Sequence, residues 1–135
     1  MGDSSLVAET GRPSCGIKTE NNKEHLMDDF IGGTIFQAYL NPWTYHRWHS
    51  PVSGIIEDVY PIEGYYFVKN PSIIGTDNDY VNSQPFLCCT STRLVFVIKA
   101  DNEKIGRVIL IMIGMTEVST CKTERKRGDY VRKGE

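Results

Sequence analysis

Residues 41–54 gather side chains that could carry out acid–base chemistry. The segment holds two of the chain's three histidines, His46 and His49, and both of its tryptophans. Imidazole can give and take protons near neutral pH, and packing against indole rings would hold it in a fixed position. Pro42 and Pro51 bias the residues before them toward extended backbone, so one continuous helix is not expected here. An acid–base site is therefore the first interpretation of this segment.

Two other interpretations of the histidine pair stay open on the residues alone. Histidines three apart could form half of a metal site, but zinc takes three or four protein ligands and only His25 is left to join them. The four cysteines are not spaced as metal-ligand pairs, so no metal is expected. Alternatively, both imidazoles could be structural, with ring nitrogens bonded to backbone carbonyls inside an aromatic cluster. Spacing alone does not separate this interpretation from catalysis.

Two long motifs, far apart in the chain, connect this segment to a known family. The first reads GGTIFQAYL over residues 32–40 and YHRWHSPVSG over residues 45–54, and the second reads IGMTEVSTC over residues 113–121. The first resembles the central motif of phosphatidylserine decarboxylase-like proteins, which are pyruvoyl-dependent decarboxylases. The second is similar to the soluble fungal branch of that family, which includes tryptophan decarboxylases. The likeness covers the chain from Asn22 onward.

The resemblance implies a carboxy-lyase that decarboxylates an aromatic L-amino acid such as tryptophan, or phosphatidylserine. In this family, a serine at an internal Gly-Ser bond becomes a covalent pyruvoyl group as the chain cleaves itself, and that group serves as an electron sink. By position in the motif, His49 matches the histidine of self-processing and His46 the histidine of decarboxylation. Tyr45, Arg47 and Trp48 are implied in substrate binding, although the two aromatic residues fit core packing equally well. The implied partners are a small-molecule amine substrate and a complementary small chain that carries the pyruvoyl group.

The same resemblance predicts that this chain is inactive by itself. Family members carry a Gly-Gly-Ser motif shortly after a Gly-Glu pair like Gly134-Glu135, and none of the glycines here precedes a serine. The chain is therefore expected to be the large-chain part of a processed enzyme or a truncated product. The alternative is a non-catalytic homologue that acts as a small-molecule-binding or interaction β-domain. No residue before Asn22 matches the acidic residue that the family uses to orient a catalytic histidine.

Length and composition indicate one soluble globular domain rather than a nucleic-acid or membrane protein. The chain has 135 residues, of which 40% are hydrophobic and 24% charged, with a net charge of -2. A charge this close to zero gives no general attraction to nucleic acid or to anionic lipid. The longest apolar run, residues 108–113, is too short to span a bilayer, and no signal peptide opens the sequence. A reducing, cytoplasmic location is therefore expected, and formation of a homo-oligomer is left open.

The elements that would position these motifs are mostly strands. Short β-branched and aromatic runs, separated by Gly, Pro and Asn, predict a mainly β fold, a compact β-sandwich or barrel-like core with one short N-terminal helix. The resemblance implies that this core is a decarboxylase core. Residues 1–24 are predicted to form a flexible leader, and residues 25–135 a partial decarboxylase-like β-domain. The predicted elements are a helix at 22–30, strands at 34–40, 55–60, 64–68, 94–98, 107–112 and 117–121, and a solvated hairpin at 128–134.

Overall fold

Two compact units make up the chain, Met1–Tyr45 and His46–Glu135. The computed structural model describes the following parts of them: Leu26, residues 28–40, Trp43 and residues 45–135. The leader predicted at 1–24 lies outside the described residues, and so does the first part of the helix predicted at 22–30.

In the first unit, the described residues contain a short helical stretch and no strand. Leu26 and Asp28 are helical, within the predicted helix. The strand predicted at 34–40 is wrong, because this backbone forms neither helix nor strand. The side chains of Ile35 and Phe36 are 64% and 68% exposed. A strand needs neighbouring strands to be stable in water, and the described part of this unit supplies none.

The second unit is built around a four-stranded antiparallel sheet, and the predicted mainly β fold is confirmed. Its strands are β1 (Gly54–Ile62), β2 (Arg93–Ala100), β3 (Arg107–Ile113) and β4 (Tyr130–Val131), in the order β3-β2-β1-β4. The sheet curls into a half-barrel. The strands predicted at 55–60, 94–98 and 107–112 are confirmed, although β1 continues through Pro61 to Ile62. Proline is tolerated there because β4 pairs only with the start of β1, which leaves that edge without a ladder bond to lose.

The β2–β3 hairpin supplies most of the core. Seven of the eight residues of β2 are buried, so both of its faces are covered. Its register pairs Leu94 with Met112 and Phe96 with Leu110, which aligns large apolar side chains on one face. Burying each such side chain stabilises the fold by about 1.5–3 kcal/mol. The buried cluster consists of Ile56, Leu94, Phe96, Ile98, Met112 and Val131.

The connection from β1 to β2 is helical, which the sequence pattern does not predict. It contains a 3-10 turn, Pro71–Ile73, and two short helices, α1 (Asp79–Asn82) and α2 (Gln84–Thr90). Helix α2 carries a proline in its first turn, where the missing N–H costs nothing, and it buries Leu87. These helices are too short to show an apolar periodicity, so composition alone does not reveal them.

Two predicted strands are replaced by tight local structure. Within 64–68, Phe67 has a positive φ of 50°, which interrupts extended backbone, and one isolated bridge is all that forms. The region predicted as a strand at 117–121 instead begins inside a turn, residues 115–118, in which Met115 and Val118 exchange backbone hydrogen bonds. Both predictions are wrong for the same reason. Residues with high strand propensity form a strand when they pack against a neighbouring strand, and these segments have no neighbouring strand along their length.

The carboxyl-terminal segment joins the sheet, so the solvated hairpin predicted at 128–134 is wrong. Strand β4 pairs with the start of β1, with Val131 opposite Gly54. Val131 is 6% exposed and belongs to the core. A Cβ at Gly54 would lie 2.1 Å from the carbonyl oxygen of Lys99, so β1 can approach β2 this closely only with glycine there. The end of the first motif is thereby fixed between β2 and β4.

Candidate functional site

The carboxyl-terminal end of the chain lies along the first motif. The Ser50 N–H donates to the Glu135 carbonyl at 2.9 Å, and the Gly134 N–H donates to the Ser50 carbonyl at 2.8 Å. The Lys133 N–H donates to the hydroxyl oxygen of Ser53 at 2.9 Å. Together with the pairing of β1 and β4, these bonds hold the Gly-Glu pair against the residues that follow the histidines.

His49 contacts the same stretch through its side chain. Its Nδ1 lies 2.9 Å from the carbonyl oxygen of Gly134. A carbonyl oxygen only accepts hydrogen bonds, so Nδ1 carries the proton in this contact. In the neutral imidazole the basic lone pair is then on Nε2. The contact therefore places the basic nitrogen of the neutral ring at Nε2, the arrangement found in serine–histidine pairs.

A tight turn over residues 132–135, the carboxyl-terminal turn, completes this end of the unit. Its glycine has a positive φ of 83°, and the Glu135 N–H donates to the Arg132 carbonyl at 3.0 Å. The Glu135 carboxylate accepts a bond from the Arg132 N–H at 3.1 Å and forms an ion pair with the Arg125 guanidinium. The turn and Tyr130 line a shallow, open depression of about 570 Å³.

Tyr130 forms one side of that depression. Its hydroxyl donates to a carboxylate oxygen of Asp101 at 2.7 Å. This hydrogen bond, followed by desolvation and the Asp101 charge, raises the pKa of Tyr130 above its ordinary value. The phenol therefore stays protonated at neutral pH and acts as a hydrogen-bond donor.

The second motif forms a turn whose exposed carboxylate is acted on by the charge of His46. Thr116 is 2% exposed and has a positive φ of 41°, and the carboxylate of the next residue, Glu117, is exposed. The Thr116 hydroxyl, and after it the Glu117 backbone amide, lower the pKa of the Glu117 carboxyl. Lys69 and the half-buried His46 lower it further through their charges. A histidine of the first motif and a carboxylate of the second therefore lie within electrostatic reach of each other.

The five predicted site residues are distributed over both units. His46, Arg47, Trp48 and His49 belong to the second unit, and Tyr45 ends the first. Arg47 is exposed and the Trp48 side chain is 39% exposed. Their assignment to substrate binding stays a prediction, as do the catalytic roles of the two histidines.

The contacts of two charged residues in this region, Glu117 and Arg125, are not predicted from the sequence. Glu117 lies within a quoted motif, but nothing in its position along the chain indicates that His46 is near it. Arg125 lies in a charged tail that is typical of solvated surface, and no pattern indicates its pairing with Glu135. Such contacts depend on the path of the chain after β3, and the spacing of residues along the sequence does not predict them.

The described ranges contain neither a metal-ligand cluster nor a membrane-spanning helix. Within them, no three His, Cys, Asp or Glu side chains come together as a metal site would require. No helix among these residues has the length and apolar character needed to cross a membrane. Cys88, Cys89 and Cys121 form no disulfide, and burial raises the pKa of the Cys121 thiol.

Comparison with known proteins identifies one group of relatives. Residues 9–135 match the family described as Phosphatidylserine decarboxylase. The chain is 38% identical to L-tryptophan decarboxylase of Psilocybe cubensis, an alignment that covers 84% of this chain and 28% of that protein. It is 39% identical to decarboxylase iboD of Amanita muscaria (84% of this chain, 36% of that protein). It is 32% identical to phosphatidylserine decarboxylase proenzyme 2 of Oryza sativa subsp. japonica (84% and 17%). The chain thus spans between 17% and 36% of the length of these relatives.

Proposed function

The chain belongs to the phosphatidylserine decarboxylase family, and we propose that it is the large-chain part of a pyruvoyl-dependent enzyme that decarboxylates an aromatic L-amino acid such as tryptophan. Relatives named L-tryptophan decarboxylase are 38% and 40% identical to it, whereas the rice phosphatidylserine decarboxylase proenzyme is 32% identical. This difference favours a free amino acid over phosphatidylserine as the substrate. The word proenzyme in the name of the rice relative supports the processing of a precursor.

The contact between His49 and Gly134 carries this proposal. In the order of motifs that the resemblance implies, a Gly-Glu pair such as Gly134-Glu135 comes shortly before the Gly-Ser bond that is cut. A histidine whose Nδ1 donates to the Gly134 carbonyl keeps a basic nitrogen beside the segment that leads to this bond. In the proposed reaction, His49 takes the proton of the serine hydroxyl, and the serine oxygen attacks the preceding carbonyl carbon. The peptide C–N bond breaks as the ester forms, and the proton passes to the freed serine nitrogen. β-Elimination then releases the upstream chain as a carboxylate, and hydrolysis of the resulting enamine with loss of ammonia leaves the pyruvoyl group.

The serine that yields the pyruvoyl group is proposed to lie outside these 135 residues, since none of their glycines precedes a serine. The side chains present fit such a group, because the contact with Gly134 places the basic nitrogen of the His49 ring at Nε2, and because His46 is half-buried and its charge acts on the Glu117 carboxyl. Such a group would act as an electron sink: it would accept the electron pair of the carbon–carbon bond that breaks when carbon dioxide is released. His46 then delivers a proton to the carbon that has lost carbon dioxide, which is the task of a general acid.

Substrate binding is assigned to Tyr45, Arg47 and Trp48. A partly exposed indole such as that of Trp48 gives an aromatic substrate a flat apolar face to stack on. The exposed Arg47 guanidinium can bind a carboxylate through two parallel hydrogen bonds. These chemistries match the two ends of an aromatic amino acid.

Carbon dioxide release by the full-length precursor tests this function. We expect release from L-tryptophan and none from phosphatidylserine vesicles, and none from the isolated 135-residue chain with either substrate. His46→Ala should still cleave but decarboxylate about 10²–10⁴-fold more slowly, the usual contribution of a general acid. Release from phosphatidylserine alone would reassign the substrate. A precursor that releases carbon dioxide from neither would favour the non-catalytic β-domain.

A further inference from the structure

The Glu135 carboxylate is bound at both of its oxygens. Oε1 pairs with the Arg125 guanidinium, and Oε2 accepts the Arg132 N–H at 3.1 Å. The side chains of the ion pair are 47% and 41% exposed, so it adds little to the stability of the fold. The position of the ion pair is informative, because Glu135 directly follows Gly134, and the Gly134 carbonyl accepts the hydrogen bond from His49.

The Arg125 side of this pair is attached to a firmly held part of the second unit. The Lys126 N–H donates to the Asp129 carboxylate at 3.0 Å, and the Asp129 N–H donates to the Lys126 carbonyl at 3.1 Å. The Gly128 N–H donates to the Ile56 carbonyl at 2.8 Å, and the Ile56 N–H donates to the Asp129 carbonyl at 2.9 Å. Arg125 therefore projects from a loop that is bonded to the buried part of β1.

We propose that Arg125 is a positioning residue for self-processing: by binding Glu135, it holds the carboxyl-terminal turn so that the chain leaving the turn passes the His49 imidazole. This inference rests on the proposed function. Ser50 and His49 hold the turn on one side, and Arg125 holds it on the other. Because the turn contains a glycine at a φ of 83°, its backbone is free to adopt other conformations when one side is released.

The expected effect is on rate rather than on stability. An exposed ion pair contributes only about 0.2–1 kcal/mol to folding, so its loss leaves the unit folded. Misplacement of reacting groups by about 1 Å can cost on the order of 10²-fold in rate. Release of one side of a turn that remains bonded on the other should cost less than that. We expect self-cleavage to slow about tenfold.

Cleavage of the full-length precursor, followed by gel electrophoresis over time, tests this inference. Arg125→Ala and Arg125→Gln should both slow cleavage about tenfold, and Arg125→Lys should recover most of the rate because a single charged contact is restored. Glu135→Gln removes the charge but keeps an oxygen for the Arg132 N–H, so it should match Arg125→Ala. The double variant Arg125→Ala/Glu135→Gln should be no slower than either single variant, because both remove the same interaction.

A second ion pair in the same unit provides the matched control. Arg107 Nε lies 2.5 Å from Glu57 Oε2, with side chains 42% and 29% exposed, and the pair joins β3 to β1 rather than the carboxyl-terminal turn. Arg107→Ala should therefore cleave at the wild-type rate. The thermal midpoint of each variant, measured in parallel, should stay close to that of the wild type.

The outcomes separate this inference from the function on which it rests. Wild-type cleavage by both Arg125→Ala and Arg125→Gln would overturn the inference, and so would additive losses in the double variant or an equal slowing by Arg107→Ala. A different result would contradict the proposed function itself: self-cleavage of His49→Ala at the wild-type rate. If His49→Ala stays uncut while the Arg125 variants cleave normally, only the positioning role is lost.

Discussion

Substitution of Gly54 by alanine tests the packing that places the first motif. The new Cβ would lie 2.1 Å from the Lys99 carbonyl oxygen, 2.9 Å from the Lys99 carbonyl carbon and 3.0 Å from the Ala100 Cα. All three are backbone atoms of β2, so no side-chain rotation relieves the contact. A carbon and an oxygen do not normally approach closer than about 3.3 Å, so β1 and β2 must separate locally by about 1 Å.

The cost of this separation can be worked out from its parts. Overpacking of a close-packed interior costs about 1–3 kcal/mol, and the weakening of about two ladder hydrogen bonds between β1 and β2 adds about 2 kcal/mol. Gly54→Ala should therefore lower the free energy of unfolding by about 3–5 kcal/mol, measured by urea denaturation. Gly75→Ala is the control, because Gly75 has a φ of 83° but no atom within 4 Å of the added Cβ. It should cost only about 1–2 kcal/mol, from its backbone conformation. Equal losses in the two variants would refute the close approach of β1 and β2 as the constraint on Gly54.

Three further predictions concern the carboxyl-terminal region and the thiols. Val131→Ala should lower the free energy of unfolding by about 1–3 kcal/mol in urea denaturation, because Val131 is 6% exposed and packs in the core cluster. Asp101→Asn should lower the pH at which the Tyr130 phenol ionises, followed by NMR, because the Asp101 carboxylate accepts its hydrogen bond and raises its pKa. Cys121 should be alkylated more slowly than Cys89, measured by mass spectrometry, because burial raises the pKa of Cys121 and Cys89 is exposed.

Each of these predictions has a clear contrary result. Unchanged stability in Val131→Ala would mean that β4 does not contribute to the core. If the Tyr130 phenol ionised at the same pH in Asp101→Asn as in the wild type, the interaction with Asp101 would not be the cause of its raised pKa. Faster alkylation of Cys121 than of Cys89 would contradict their order of exposure.

The β2–β3 hairpin is the element that the sequence predicts best, for a physical reason. Two continuous apolar runs flank the polar residues 101–106, and the two runs pair with each other as β2 and β3. The local sequence pattern and the tertiary pairing therefore favour the same structure. Residues 34–40 show a similar apolar pattern but form no strand in the described structure. Strand propensity is therefore realised only where a neighbouring strand is supplied.

The candidate site is less predictable because its contacts join distant parts of the chain. The motif indicates which histidines to consider, but His49 and Gly134 are 85 positions apart, and spacing carries no sign of their contact. Val131 is the single aliphatic residue in the charged segment 122–135, so its burial could not be predicted from composition. That burial is what turns the tail back along the first motif.

Mapping of self-cleavage in the full-length precursor tests the proposed role of His49. We propose that His49, whose Nδ1 donates to the Gly134 carbonyl, is the base that starts cleavage just beyond Glu135. Intact-mass spectrometry of the wild type should show two chains, with the larger ending shortly after Glu135 and the smaller blocked by a pyruvoyl group. His49→Ala should give one uncut chain that is still folded by circular dichroism. Complete cleavage of His49→Ala at the wild-type rate would show that His49 is not the base and has only a structural role.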